Sequence, residues 1–260
     1  MNAPPHDPRE LAAILAPPSR HLVVLDFDGV LSFIVDRPGD AVPVPGALEA
    51  IAAIAARTTV AIISGRPVTE LRARLDDPPV TLAGGHGAEL AHANGTTEYL
   101  IATDVVAGTL DGLEADVRHL VDDELGWLVE RKDTSLAVHH RLAPPDRVAE
   151  LLPRVHAILD ASKDRPPGFE LLSGKAVLEL RPVGIDKGQA LRRIVEGTPG
   201  LTPLAVGDDV TDEDAFRAAL DLGGTAVLVG EEPRATAAPY RLADPAAVVT
   251  FLDALAGQEG

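Results

Sequence analysis

Four short stretches of the chain are apolar with almost no polar alternation: HLVVL at 21 to 25, TVAII at 59 to 63, TPLAV at 202 to 206 and TAVLV at 225 to 229. Between them apolar residues recur at helical spacing. Leu48, Ile51 and Ile54 follow Pro45, a residue type favoured at a first helical position. A short helix is expected after SGRP at 64 to 67, another from Asp212, and a last one near 245 to 256. Strands that do not alternate are buried on both faces. The strand and helix order therefore predicts a parallel sheet covered by helices on both sides.

Residues 103 to 182 follow a different rhythm. Leu110, Leu113, Val117, Leu120 and Val121 mark an amphipathic helix, and WLVER and SLAVHHR form a hairpin turning at KDT. A helix over 146 to 161 tolerates Pro153 only with a kink or break. The strands FELL and KAVLELR follow. This order predicts an antiparallel sheet backed by helices on one face and inserted into the α/β domain. The expected division is a core of residues 1–102 and 183–260 around an inserted domain of 103–182, with linkers near 101 to 108 and 182 to 186.

Composition narrows the possible chemistry. The 260 residues, 46% hydrophobic, suffice for one large or two small domains, and an aromatic share of 3% leaves the core to Ala, Val, Leu and Ile. A net charge of -17 argues against nucleic acid and anionic membranes as partners, because both reward clustered Lys and Arg. An anionic substrate must be drawn in by local cations. The absence of Cys excludes disulfides, thiolate metal sites and a Cys nucleophile. The opening MNAPPHDPRELAAILAPPS has no basic n-region and its apolar stretch is cut by prolines, and no run reaches membrane-spanning length. These features lead to the expectation of a cytoplasmic protein with a small-molecule substrate, a monomer being favoured.

In an open parallel sheet, ligands collect at the carboxyl ends of the strands. Asp26 with Asp28, Ser64, and Asp208 with Asp209 each follow such a strand, so three segments deliver polar groups to one edge. A lone Asp after a strand often only caps a helix or forms a turn. Within GDDVTDEDAF, Thr211 with Asp214 fits a capping box and Asp212 and Glu213 suit a helix N-terminus, which leaves Asp208 and Asp209 unexplained. Clustered carboxylates repel one another unless a cation holds them, and Mg²⁺ binds through a few carboxylates, waters and phosphate oxygens. Only four of the 23 basic residues are Lys, and one of them, Lys187, starts a helix where its compact charge can reach a phosphate. Ser64 and Gly65 precede a helix whose free N–H groups suit an anion. Together these residues suit phosphoryl transfer: Asp26 as nucleophile and Asp28 as the acid that protonates the leaving alkoxide and then the base for water. No P-loop pattern is present, which makes water the expected acceptor.

In this order, DFDGV, SGR, DKG and GDDVTDED resemble the four motifs of the haloacid dehalogenase superfamily of phosphohydrolases. GGHGAE at 84 to 89, ERKDTSLAVHHR at 130 to 141 and GKAVLELRP at 174 to 182 are similar to stretches of trehalose-6-phosphate phosphatases, and the likeness runs from about 21 to 216. The resemblance implies a Rossmann-like core with an inserted α/β cap of the C2 type and Mg²⁺-dependent release of trehalose and phosphate. It makes Asp26 the nucleophile, Asp28 the acid/base, and Ser64 and Lys187 the phosphate holders. Asp26, the carbonyl of Asp28, and Asp208 become the metal ligands, with Asp209 included in the metal set and Asp212 close behind. The substrate-binding set it implies is Arg66, His86, Lys132, Ser135, His139, Arg141, Lys175, Glu179 and Arg181.

Strand alternation supports part of that set. Ser135, His139 and Arg141 share one parity, and so do Lys175, Glu179 and Arg181, opposite Leu136, Val138, Leu178 and Leu180. The same face would be polar if it merely met solvent. Trp127 is expected in the core of the inserted domain. Two positions depart from the family pattern. Val30 stands where Thr is usual, and His140 replaces the Tyr of HYR on the strand face away from the polar set. The alternatives are a phosphatase for another sugar phosphate, such as sucrose or glucosylglycerol phosphate, and a non-catalytic sugar-phosphate sensor. A sensor is expected to have lost a motif carboxylate, and none is missing here.

Overall fold

The computed structural model describes residues 4–174 and 176–258. The chain divides into two compact units, Met1–Glu98 with Asp186–Gly260, and Tyr99–Ile185. Helix α1 (Pro8–Ile14) precedes β1 (His21–Leu25), α2 (Ala47–Ala55), β2 (Val60–Ile63), α3 (Val68–Arg74), β3 (Thr81–Gly84), β4 (Glu89–Ala91) and β5 (Thr97–Tyr99). Then come α4 (Thr103–Val121), β6 (Leu128–Arg131), β7 (Leu136–His139), α5 (Pro145–Asp160), β8 (Phe169–Gly174) and β9 (Val177–Pro182). The chain closes with α6 (Lys187–Glu196), β10 (Thr202–Gly207), α7 (Glu213–Asp221), β11 (Thr225–Val229), β12 (Tyr240–Leu242) and α8 (Pro245–Ala256).

The larger sheet has the order β12-β11-β10-β1-β2-β3-β4-β5. Strands β12 to β3 in this order pair in parallel, and β4 turns back antiparallel to β3. The sheet is thus mixed and mostly parallel, where the sequence pattern predicts parallel pairing alone. The difference lies in strands of three residues, too short to show a period. β1 occupies the middle, with Leu25 opposite Val206 on one side and Ile62 on the other.

Both faces of this sheet are buried, as unalternating strands require. Val23, Leu25, Ile62 and Val206 pack with Leu11, Ile51, Leu71 and Phe251 of α1, α2, α3 and α8. The opposite parity, with Leu22, Val24, Ala61 and Ala205, is buried on the side of α6 and α7. Caps define several helix starts. Asp186 accepts the Gln189 N–H at 2.8 Å to begin α6, and Asp244 does the same for Ala247 ahead of α8. In α2 the expected stripe drifts: Ile51 and Ile54 are buried but Leu48 is 37% exposed, because steps of three fall behind a 3.6-residue turn.

In the second unit β6-β7-β9-β8 form an antiparallel sheet. Leu110, Leu113 and Val117 of α4 and Val155 and Leu159 of α5 pack on Leu136, Val138, Leu178 and Leu180, with Trp127 against this core. Helix α5 continues through Pro153 without a break. Residues 103 to 108, expected as linker, are the first turns of α4. No helix among the described residues is long and apolar enough to cross a membrane.

The burial difference within α2 gives a direct check. Ile51→Ala is expected to cost about 2–5 kcal/mol, while Leu48→Ala stays within about 0.5 kcal/mol of the parent. Urea midpoints of the two variants, measured side by side, test it.

Candidate active site at the carboxyl edge of the parallel sheet

Three adjacent strands deliver the polar residues, two of them acidic. Asp26 follows β1 on the face covered by α6 and is 7% exposed, and its own carboxylate accepts the Phe27 N–H at 2.7 Å. Asp208 follows β10, next to β1 in the sheet, and Ser64 follows β2 on the other side. Carboxylate oxygens of Asp26, Asp208 and Asp212 lie within 4.8 Å of one another. Asp208 reaches this place because residue 29 is glycine. A Cβ on Gly29 would lie 2.1 Å from the Asp208 Cγ, and its φ of +76° is itself left-handed. Val30, the departure from the family's Thr, is fully buried in the core.

Lys187 compensates the cluster. It lies on the buried stripe of α6 with Ala190, Leu191 and Ile194. Its Nζ is 2.7 Å from both Asp26 Oδ2 and Asp212 Oδ1. Burial pushes the Asp26 carboxyl well above its ordinary value; the Lys187 ammonium opposes this, and the Asp212 and Asp208 charges reinforce it. Burial alone would lower Lys187, but Asp212 and Asp26 more than offset it and the net shift is upward.

The roles of the two later aspartates differ from the expected ones. Asp209 is outside the cluster of close carboxylates and occupies the N-cap of the single turn Val210–Asp212. Asp212 joins the cluster instead, and its Oδ2 also accepts the N–H groups of Asp208 and Asp209 at 2.9 Å each. The capping pair is therefore Asp209 and Asp212, not Thr211 and Asp214. A capping role does account for Asp209.

The SGR and GGHG segments are zipped together by their backbones. Ser64 donates to Ala83 O, Gly85 to Arg66 O and His86 to Ser64 O, at 2.8 to 3.0 Å. Ser64 is buried, and its Oγ accepts the Arg66 N–H at 3.3 Å. His86 is 5% exposed with φ of 58°, and its ring stands where a Cβ on Gly65 would be 2.7 Å from Nε2. The first N–H of α3 is not open to an anion, since Val68 N donates to Glu89 Oε1 at 2.7 Å. Arg66, expected at the substrate, is engaged elsewhere. Its Nε and Nη2 donate to Asp28 Oδ2 and Oδ1 at 2.7 and 2.8 Å, its Nη2 also donates to Pro38 O at 2.9 Å, and Nη1 donates to Glu70.

The second unit carries its own polar cluster on the sheet face opposite its helices. Glu179, 9% exposed, accepts Lys132 Nζ at 3.1 Å and Ser135 Oγ at 2.9 Å on the same oxygen. His139 Nε2 lies 3.0 Å from Glu130, a residue outside the predicted set, and that contact, opposed by burial and aided by Lys132, holds the Glu130 carboxyl below its usual value. Arg181 donates to Glu170 at 2.8 Å. Arg141 is exposed in the turn after β7, which ends at His139, so strand parity does not govern it. The His140 ring lies beside Trp127, tilted by 36° with centroids 5.6 Å apart, and burial, then the neighbouring His139, lower its pKa. Lys175 lies outside the described residues.

Glu213, expected at a helix N-terminus, does more than start α7, and its partner Arg234 escaped sequence reasoning altogether. Glu213, 6% exposed, accepts the Ala237 N–H at 2.9 Å and pairs with Arg234 at 3.3 Å. Arg234 Nη2 also donates to the Asp209 carbonyl at 2.8 Å, fastening the β11–β12 loop to the acidic turn. Nothing in the local pattern around Arg234 announces this contact.

The model of the family described as trehalose-phosphatase matches residues 24–246. A trehalose-phosphate phosphatase of Mycobacterium marinum is 38% identical over 248 residues, covering 92% of this chain and 62% of the relative. One of Mycobacterium avium is 39% identical over 251 residues, covering 91% and 62%. The chain thus spans less than two thirds of these curated relatives. The C-terminal domain of C. albicans trehalose-6-phosphate phosphatase superimposes with a TM-score of 0.83 at 25% identity over 99% of each chain. A haloacid dehalogenase-like hydrolase of Bacteroides thetaiotaomicron shares the fold, with a TM-score of 0.64 at 17% identity over 90% of this chain and 98% of the other. With the four motifs gathered at one sheet edge and the family model spanning most of the chain, the protein belongs to the trehalose-phosphatase family.

Proposed function

We propose that this chain hydrolyses trehalose 6-phosphate to trehalose and phosphate through an aspartyl-phosphate on Asp26, in the cytoplasm and with Mg²⁺. The observation that carries the reading is the buried Asp26 carboxylate bridged by Lys187 to Asp212, with Asp208 beside it at the end of the central strand. Hard oxygen donors this close suit a small divalent cation. Asp26, the carbonyl of Asp28, and Asp208, with Asp212 in the same cluster, would hold Mg²⁺, which when bound neutralises developing charge on phosphate oxygens.

The chain's own groups divide the work as follows. A carboxylate oxygen of Asp26 attacks phosphorus, the bond from phosphorus to the sugar oxygen breaks, and Asp28 gives that oxygen its proton. Asp28 then takes a proton from water as the water attacks the phosphorus, and the phosphate leaves Asp26 with its carboxylate restored. Lys187 favours the ionised form of Asp26 against its burial and is placed to meet phosphate oxygens. In the second unit, Glu179, Lys132, Ser135 and His139 form a polar set suited to sugar hydroxyls, which supports a sugar ester over a small phosphate.

Phosphate release from a panel of sugar phosphates tests the substrate. Trehalose 6-phosphate is expected to have the highest kcat/KM, and equal or better turnover of sucrose or glucosylglycerol phosphate would overturn the assignment. Asp26→Asn is expected to reduce kcat on the order of 10⁴-fold or more with an unchanged circular dichroism spectrum. Millimolar Mg²⁺ at about 100 times its Kd adds roughly 2.7 kcal/mol of stability, or several degrees in Tm, reversed by chelation and largely lost in Asp208→Asn. Glu179→Ala is expected to lower kcat/KM on the sugar phosphate about 10- to 100-fold, with 4-nitrophenyl phosphate hydrolysis nearly unchanged. Equal losses on both substrates would exclude a sugar-reading role.

A further inference from the structure

Arg66 has five N–H donors, and its four contacts occupy all three nitrogens. Two grip Asp28 in a bidentate fork, one oxygen each, while the guanidinium lies 5.3 Å from the Phe27 ring centroid. Arg66 is 7% exposed, which leaves it little freedom to swing toward a ligand. Glu70, in the first turn of α3 and four residues after Arg66, which precedes the helix, takes Arg66 Nη1 on Oε1. The same oxygen takes Arg74 Nε at 2.8 Å. Arg74 Nη2 in turn donates to Gly39 O at 3.1 Å and Arg66 Nη2 to Pro38 O at 2.9 Å. Residues 66, 70 and 74 thus form one ladder joining Asp28 to the turn Pro38–Asp40.

We infer that Arg66 and Glu70 are positioning residues for Asp28: Arg66 fixes the orientation of the Asp28 carboxyl group, and Glu70, braced by Arg74, fixes Arg66. This inference rests on the reading of Asp28 as acid and base. A carboxylate has about four lone-pair sites, and a bidentate fork uses one on each oxygen. One site per oxygen stays open, so a gripped Asp28 can still pass a proton while its plane is set. A group that gives a proton in one step and takes one in the next needs the same orientation twice, which a fixed carboxyl group supplies.

The test uses the phosphoenzyme formed from 4-nitrophenyl phosphate, whose leaving group needs no protonation. Its formation is expected to be unaffected in Glu70→Gln, while its decay slows about tenfold, giving a burst of nitrophenol equal to the enzyme concentration. On the sugar phosphate kcat falls by a similar factor and KM changes less than twofold. Arg66→Lys, which keeps the charge but not the fork, is expected to show the same pattern more strongly. Asp28→Asn slows decay about 10²- to 10⁴-fold, and adding Glu70→Gln to it changes the rate less than twofold, because Glu70 acts only through Asp28. The inference falls if Glu70→Gln and Arg66→Lys leave decay unchanged, if either mainly raises KM, or if Glu70→Gln slows Asp28→Asn by the same factor as the parent. Should Asp28→Asn itself decay at the parental rate, the acid/base reading fails first, and the ladder loses its catalytic purpose with it.

Discussion

The site depends on one ammonium group. Lys187 places its charge 2.7 Å from two carboxylates in a setting where all three side chains are almost wholly removed from water. Burying one such carboxylate alone would cost several kcal/mol, and burying two side by side would cost more. The lysine makes the acidic edge possible without making it neutral, since Asp208 adds a third negative group to the cluster. What remains is an oxygen-lined site with more carboxylates than cations, a donor set that suits a small divalent cation. The Asp186 cap that begins α6 is thus an indirect part of the chemistry, because it determines where the stem of the next residue starts.

A second ordering principle is mutual exclusion of space. Asp208 can approach the β1 turn only because residue 29 has no side chain, and His86 can cover the SGR segment only because residue 65 has none. The motifs are therefore spatially interlocked as well as chemically matched. Backbone hydrogen bonds from Ser64, Gly85 and His86 tie two of these segments into one piece, so that the loops share their rigidity.

Much of this was legible in the sequence for a clear reason. The central strands are buried on both faces, so β1, β2, β10 and β11 appear as unbroken apolar runs, and the acidic residues simply follow them. The three-residue strands β4, β5 and β12 carry no period and were not legible. Lys187 had a readable signal: it stands at the position of α6 where Ala190, Leu191 and Ile194 require an apolar neighbour. Asp209 and Asp212 could not be told apart by pattern, since capping and a place in the acidic cluster both ask for a carboxylate, and only the turn geometry shows that Asp212 does both while Asp209 caps alone. Arg66, Glu70 and Arg74 recur every four residues, a helical pairing pattern visible in the letters, yet the partnership with Asp28 joins segments 38 residues apart. Glu130 lies within the expected hairpin at the same parity as Lys132, so its place near His139 was readable there, whereas Arg234 depends on tertiary neighbours and leaves no local trace.

The pairing of β1 with β10 has a consequence for synthesis. Residues 26 to 201 separate the two strands, so β1 is complete long before its neighbour exists. At ordinary translation speeds the delay is roughly 10–35 s, during which one edge of an apolar strand waits unpaired beside the ribosome. Residues 99 to 185, compact by themselves, emerge within that interval and can fold while the earlier segment is still incomplete. The nascent chain therefore has its greatest need of chaperone protection before the last quarter is translated.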